Sequence, residues 1–262
     1  MIPEAAITHW RNVAPWPQDA QVEQDLILSR ALIEIFQEAT LSKGLLLRGG
    51  TALHKLFAKP SHRYSEDIDL VQASPGPIGP ILDSIRARLD PILGTPRRER
   101  NPDNVTLRYR MESEIPPVIP LRLKVEINSR EHFSVFGEAS RLLEIRSPWF
   151  EGRAEVRTYA LDELLATKLR ALYQRRKGRD LFDLWIGIGI KTVDPSKIVH
   201  AFRRYLEAEE NSVSRDAFEK NLAAKVESRS FHDDLRPLLA SGIRYDAVKA
   251  AEMVKDKLLS LL

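Results

Sequence analysis

The hydrophobic pattern of the sequence changes its period near residue 158, and this change limits the possible folds more than any other feature. Before it, apolar and polar residues alternate in short segments such as LRLKVEIN at 121–128, which is typical of strands with one solvent-facing side. After it, apolar residues recur every three or four positions, which is typical of helices. The sequence therefore predicts an α/β (α+β) chain, with a mixed α/β lobe at residues 1–157 and an α-helical lobe at residues 158–262.

Composition excludes several classes of protein. The 262 residues include no cysteine, so the chain can have neither a disulfide framework nor a zinc site built on cysteine. No apolar run approaches the ~20 residues that a membrane span requires. The N-terminus also lacks the basic start and apolar stretch of a signal peptide. We therefore expect a cytoplasmic protein without membrane contact.

The segment LLLRGGTALHK, residues 45–55, joins a short apolar strand to a helix through two glycines. Because Gly49 and Gly50 carry no Cβ, a ligand can approach their backbone closely. A helix that begins at Thr51 would present unpaired N–H groups and the positive end of its dipole to a phosphate. A tight turn that binds nothing is the alternative interpretation.

Three carboxylates form the next pattern. In DIDLV, residues 67–71, Asp67 and Asp69 point to one side of the predicted strand, because side chains alternate along a strand. Two adjacent carboxylates suit a divalent cation, and magnesium prefers carboxylate and phosphate oxygens. Glu126 lies on the polar side of the strand 121–128 and is the candidate third ligand. The alternatives are an isolated Asp-x-Asp without function and an exposed, salt-bridged glutamate.

A lysine and an aspartate stand out in the helical half. Lys168 falls within the apolar stripe of the helix that begins at Leu161, rather than on its polar side. Its ammonium either reaches along the helix to solvent or points toward an anion such as a nucleotide triphosphate. Asp180 either orients Lys168 or Arg179, or caps the helix that follows.

Four motifs follow one another between residues 45 and 185: LLRGGTALHK, RYSEDIDL, LKVEIN and LLATKLRALYQRRKGRDLFDLW. Together they resemble the AbiEii/AbiGii-type toxin family of the DNA polymerase β-like nucleotidyltransferase superfamily, and they are similar to the MenT-type toxins. One departure is the stretch of 15 residues between Thr51 and Asp67, which is longer than the superfamily's typical gap. It indicates an inserted turn around KPSHRY.

The resemblance implies a bilobal enzyme whose first lobe is a polymerase β-like mixed sheet flanked by helices. It also implies the toxin of a type IV toxin–antitoxin or phage-defence system, with NTP as substrate and a separate antitoxin as partner. Three groups of residues take roles by resemblance. The catalytic residues are Asp67, Asp69, Lys168 and Asp180, the nucleotide-binding residues are Gly49, Gly50, Thr51 and Lys168, and the Mg²⁺ ligands are Asp67, Asp69 and Glu126.

The implied reaction is Mg²⁺-dependent, in-line transfer of a nucleoside monophosphate to an RNA acceptor, the 3′ end of tRNA, which blocks translation and growth. Arginine clusters such as TPRRER and LRYR favour a polyanionic acceptor, although solvated surface also explains them. The alternatives are a small hydroxylated acceptor and a non-catalytic module that binds nucleotide or antitoxin. Asp69→Ala and Lys168→Ala are expected to abolish toxicity with the fold intact. Phosphate on Ser65, two residues before Asp67, is a hypothetical off-switch.

Overall fold

The computed structural model describes residues 2–262, and its mixture of helices with a mixed sheet confirms the predicted α/β class. The chain divides into two compact units. The first comprises the residues up to Phe133 together with Glu138–Tyr159, and the second comprises Ser134–Gly137 together with Ala160–Leu262. All the strands that the structure describes belong to the first unit.

Ser134–Gly137 joins the second unit although it lies between two strands of the first. Its anchor is the buried carboxylate of Glu163, which accepts hydrogen bonds from the Ser134 hydroxyl at 2.9 Å and from the backbone N–H of Val135 at 2.8 Å. The Tyr205 hydroxyl donates to the same carboxylate at 2.9 Å. The sequence-based boundary near residue 158 does not predict that this segment belongs to the second unit. The contact between Ser134 and Glu163 joins residues about thirty positions apart in the sequence.

Within residues 2–262, the first unit is built on one seven-stranded mixed sheet. Its strands are β1 (Leu45–Arg48), β2 (Asp67–Gln72), β3 (Arg97–Arg100), β4 (Asn104–Glu112), β5 (Pro120–Asn128), β6 (Glu138–Arg146) and β7 (Glu151–Tyr159). Their order across the sheet is β3-β4-β5-β2-β1-β7-β6. β2 runs parallel to β5 and β1 runs parallel to β7, while the other neighbours are antiparallel.

The two faces of the sheet differ in character. One face is apolar and buried, and in β2, β4 and β5 its residues are Ile68, Leu70, Val105, Leu107, Tyr109, Leu121, Leu123, Val125 and Ile127. This alternation is the one predicted for the segment 121–128. The intervening residues are mostly polar, so the second face is the hydrophilic one.

Helices of the first unit pack against the sheet and each other. They are α1 (Glu4–Trp10), α2 (Asp19–Gln37), α3 (Ala39–Gly44), α4 (Gly49–Ala52), which continues as a π-helical turn over Leu53–Phe57, and α5 (Gly79–Leu93). α2 ends at Gln37, because Glu38 begins a new helix by accepting the N–H of Leu41 at 2.6 Å.

The edge strand β3 does not follow from the sequence, because all four of its residues, RRER, are charged and show no apolar alternation. It pairs with β4, from Arg97 opposite Arg108 to Arg100 opposite Val105. Charged side chains are common on edge strands, where they discourage pairing with another chain. Pairing with β4, rather than local hydrophobicity, therefore accounts for this strand.

The second unit is helical. Its helices are α6 (Leu161–Gln174), α7 (Gly178–Ile188), α8 (Pro195–Ala208), α9 (Arg215–Val226), α10 (Arg229–Leu235) and α11 (Ala247–Lys257). α8 and α9 begin after the N-cap residues Asp194 and Ser214, whose side chains accept backbone N–H groups of the first turn. Over residues 2–262, none of the helices has the length and apolar character needed to cross a membrane.

Candidate active site

The turn from β1 into α4 depends on Gly49. Its φ of +78° lies in the left-handed region that residues with a Cβ rarely adopt. A Cβ built at this position would also overlap the carboxylate of Asp69. The glycine therefore serves two purposes: it allows the turn, and it lets the aspartate on β2 lie directly against the backbone of the turn.

Gly49→Ala is expected to lower the free energy of unfolding by more than Gly94→Ala does. Gly94 has a similar φ of +77°, but a Cβ there meets nothing within 4 Å. Backbone strain costs both variants about 1–2 kcal/mol, and the overlap with Asp69 adds about 1–3 kcal/mol at position 49 alone. Urea unfolding of the two variants measures the difference. Equal losses would contradict the close packing of Asp69 on the turn.

The segment that precedes β2 packs against Gly50 and Thr51. A Cβ on Gly50 would overlap the guanidinium of Arg63, a buried side chain that donates to the Tyr64 carbonyl at 2.9 Å. The fully buried Thr51 hydroxyl lies 2.9 Å from the Ser65 hydroxyl and donates to the backbone carbonyl of Asp67.

These contacts tie the start of α4 to the start of β2. The Thr51 hydroxyl is engaged inside the protein, so any contact of Thr51 with a ligand falls to its backbone N–H. Ser65 is half-buried and hydrogen-bonded to Thr51, so a phosphate at this position would interrupt that bond.

Asp67, Asp69 and Glu126 share the hydrophilic face of the sheet. In the parallel pairing of β2 with β5, Asp69 lies opposite Glu126, and Asp67 lies opposite Lys124. Residues opposite each other on paired strands point to the same side. The structure therefore brings these three predicted carboxylates onto one face of two adjacent strands.

Lys124 lies among these carboxylates. Its Nζ is 3.0 Å from Asp67 Oδ2 and 3.3 Å from Glu126 Oε2. Burial disfavours the charged ammonium, but Asp67 and Glu126 outweigh that effect and hold the pKa of Lys124 above its usual value. For Asp67, burial is the dominant effect, and with the neighbouring Asp69 it raises the pKa despite Lys124.

The donor set suits a hard divalent cation. Asp67, Asp69 and Glu126 offer carboxylate oxygens, which Mg²⁺ prefers, and the position of Lys124 shows that the cluster attracts positive charge. As the side chains stand, however, no three His, Cys, Asp or Glu residues anywhere in 2–262 are grouped closely enough to hold a metal ion together. Three-carboxylate coordination therefore requires side-chain rearrangement at this face.

The same face becomes basic beyond the carboxylates. The register places Arg108 opposite Lys124 and Arg110 opposite Arg122. Like charges placed directly opposite each other destabilise a sheet. Glu99 offsets part of this charge by accepting from Arg108 Nε at 2.9 Å, whereas Arg110 and Arg122 are exposed side by side. We call Arg97, Arg108, Arg110 and Arg122 the basic face, a surface suited to a polyanion.

Lys168 and Asp180 meet inside the second unit. The Lys168 ammonium lies 3.3 Å from Asp180 Oδ1 and 2.8 Å from Asp183 Oδ2, and both carboxylates are fully buried. Arg175 bonds Asp180 with two nitrogens, at 2.7 and 2.9 Å. Burial by itself would raise the pKa of Asp180, but Lys168 and Arg175 outweigh it, so the pKa lies below its usual value.

This cluster decides between the alternatives that the sequence leaves open for Asp180. The aspartate orients Lys168 and Arg175, whereas Arg179 pairs with Asp234. Sequence reasoning missed Asp183 as a partner of Lys168, although its spacing of three from Asp180 places both on one side of α7. It also missed Lys124, whose signal was its place beside Glu126 on the polar side of β5.

Comparisons with known proteins identify the family and a similar fold. The model of the family described as "Nucleotidyl transferase AbiEii toxin, Type IV TA system" matches residues 30–252. The fold is similar to that of MenT4, a nucleotidyltransferase toxin from Mycobacterium tuberculosis, with a TM-score of 0.63 and 17% identity over 98% of this chain and 90% of that chain. It is also similar to JHP933 from Helicobacter pylori, with a TM-score of 0.57 and 16% identity over 93% of this chain and 92% of that chain. No curated protein matches the sequence.

Proposed function

The chain belongs to the AbiEii family of nucleotidyltransferase toxins, and on that basis we propose that it transfers a nucleoside monophosphate from an NTP to the 3′ end of tRNA. The family is that of type IV toxin–antitoxin systems, which implies an antitoxin partner. In the proposed reaction the acceptor hydroxyl attacks the α-phosphorus in line and loses its proton, and pyrophosphate leaves. The modified RNA then fails in translation, and growth stops.

Asp67 and Asp69 are the proposed Mg²⁺ ligands, with Glu126 as the third. When bound, the metal would neutralise charge on the phosphates and lower the pKa of the attacking hydroxyl. Backbone N–H groups of Gly50 and Thr51 would seat the triphosphate at the start of α4, where Gly49 allows Asp69 to lie against the backbone of the turn. Lys168, oriented by Asp180, is proposed to contact phosphate. The protein then acts by positioning and by neutralising charge.

The basic face is the observation that carries the choice of a nucleic-acid acceptor. It begins beside Lys124, within the carboxylate cluster, and continues across β5, β4 and β3 on the same side of the sheet. Arg110 and Arg122 repel each other unless an anion lies over them. A chain of phosphates that leads to a terminal hydroxyl supplies such anions, whereas a neutral or cationic small molecule does not.

Incubation of the protein with Mg²⁺, total tRNA and each labelled NTP in turn tests the proposal. Label in RNA is the expected result. Label only in small molecules from a cell extract would instead favour the hydroxylated small-molecule acceptor. Nucleotide binding without any transfer would favour a non-catalytic module that binds nucleotide or antitoxin.

The double variant Arg110→Ser/Arg122→Ser is expected to raise the KM for tRNA about tenfold and to weaken its salt dependence, because two phosphate contacts are lost. The KM for NTP should stay unchanged. The matched control is Arg98→Ser/Arg100→Ser, which removes the same charge from the alternate positions of β3, on the other side of the sheet. Equal effects of the two double variants on the KM for tRNA would show that net charge alone matters.

A further inference from the structure

Lys124 occupies a position that the proposed chemistry leaves unexplained. It extends from the middle of β5 into the carboxylate cluster, and its ammonium contacts Asp67 and Glu126, two of the three proposed metal ligands. Its side chain is 23% exposed, and those of Asp67 and Glu126 are 31% and 33% exposed. The ion pairs are therefore partly screened by solvent and can exchange for another partner.

Two arginines on neighbouring strands lie near these carboxylates, and each is bonded to a different glutamate. Arg48 lies opposite Asp69 in the pairing of β1 with β2, but its guanidinium is bonded to Glu131. Arg108 lies opposite Lys124, but it is bonded to Glu99. Lys124 is the cation that is bonded directly to Asp67 and Glu126.

A divalent cation and the Lys124 ammonium need the same oxygens. Asp67 Oδ2 and Glu126 Oε2 accept from Lys124, and two positive charges within a few ångströms repel each other strongly at a partly buried site. We infer that Lys124 is an internal cation that competes with divalent metal for Asp67 and Glu126. This inference rests on the proposed metal site. By competing, Lys124 lowers the affinity of the site for bare metal, so that metal enters in complex with the negatively charged triphosphate.

Mn²⁺ binding to the full-length protein, measured by calorimetry without nucleotide, tests this role. Lys124→Met keeps the length of the side chain and removes the charge, so we expect Mn²⁺ to bind about tenfold more tightly. Mn²⁺ should also raise the melting temperature of Lys124→Met more than that of the wild type. Lys124→Arg keeps the charge and should restore weak binding. The control is Arg122→Met, which removes the same charge two residues away, outside the cluster; its Mn²⁺ affinity should stay near that of the wild type.

The outcomes separate failure of this inference from failure of the metal site. If Mn²⁺ binds to the wild type and to Lys124→Met with equal affinity, Lys124 does not compete, and the metal site stands. If Arg122→Met tightens Mn²⁺ binding as much as Lys124→Met does, the loss of positive charge in general explains the effect, and Lys124 has no specific role. If Mn²⁺ binds to neither the wild type nor Lys124→Met, even with NTP, the metal site and the competition are both overturned. Circular dichroism checks that Lys124→Met is folded; if it is not, Lys124→Gln provides the same comparison.

Discussion

Asp69→Asn is expected to lower nucleotidyl transfer by at least about 10²–10³-fold and to remove growth arrest, with the fold intact. Asp69 shares the face of Asp67 and lies opposite Glu126, so the substitution removes one charged oxygen donor from the centre of the carboxylate cluster. An amide has the same shape as a carboxylate and fits the space against Gly49. Single-turnover transfer to tRNA and urea unfolding measure the two effects separately.

The control for Asp69→Asn is Asp83→Asn, which makes the same change at an exposed position of α5. It is expected to behave as the wild type in both assays. An Asp69→Asn protein that transfers at the wild-type rate would remove this aspartate from the proposed metal site. A variant that is both inactive and unfolded would instead indicate that Asp69 mainly supports the turn at Gly49.

Lys168→Ala is expected to lower the free energy of unfolding by about 3–5 kcal/mol, because it leaves two buried carboxylates without their shared cation. Asp180 keeps Arg175, but Asp183 loses its 2.8 Å ion pair to Lys168. This revises the sequence-based expectation that Lys168→Ala leaves the fold intact. Urea unfolding measures the loss, and an unchanged midpoint would contradict the buried cluster.

A compensated variant separates the structural role of Lys168 from its proposed contact with phosphate. Lys168→Met combined with Asp183→Asn removes the ammonium and one carboxylate together, while Asp180 stays bonded to Arg175. We expect this double variant to recover most of the stability and to remain inactive. Asp183→Asn alone is the matched control, because it keeps Lys168. If the double variant is stable and fully active, Lys168 has no catalytic role.

Much of the fold could be predicted from short stretches of the sequence. The period of two in β5 correctly predicted which residues are buried, and the helical period after residue 158 correctly predicted a helical second half, because side-chain direction follows directly from backbone geometry. For the same reason Asp67 and Asp69 were expected on one side of a strand. β3 could not be read in this way, because its formation depends on a partner strand rather than on its own residues.

The sequence by itself determined most of the elements, though not β3, together with the family and the residue types at the candidate site, because period, capping and motif order are properties of short stretches of chain. Only the tertiary structure decided which side chains meet. The parallel register of β2 with β5 brings Lys124 to Asp67 across more than fifty residues, and the packing of Gly49 on Asp69 depends on the pairing of β1 with β2. Such contacts depend on strand pairing and burial, which arise from the energy of the whole unit and leave no period in the sequence.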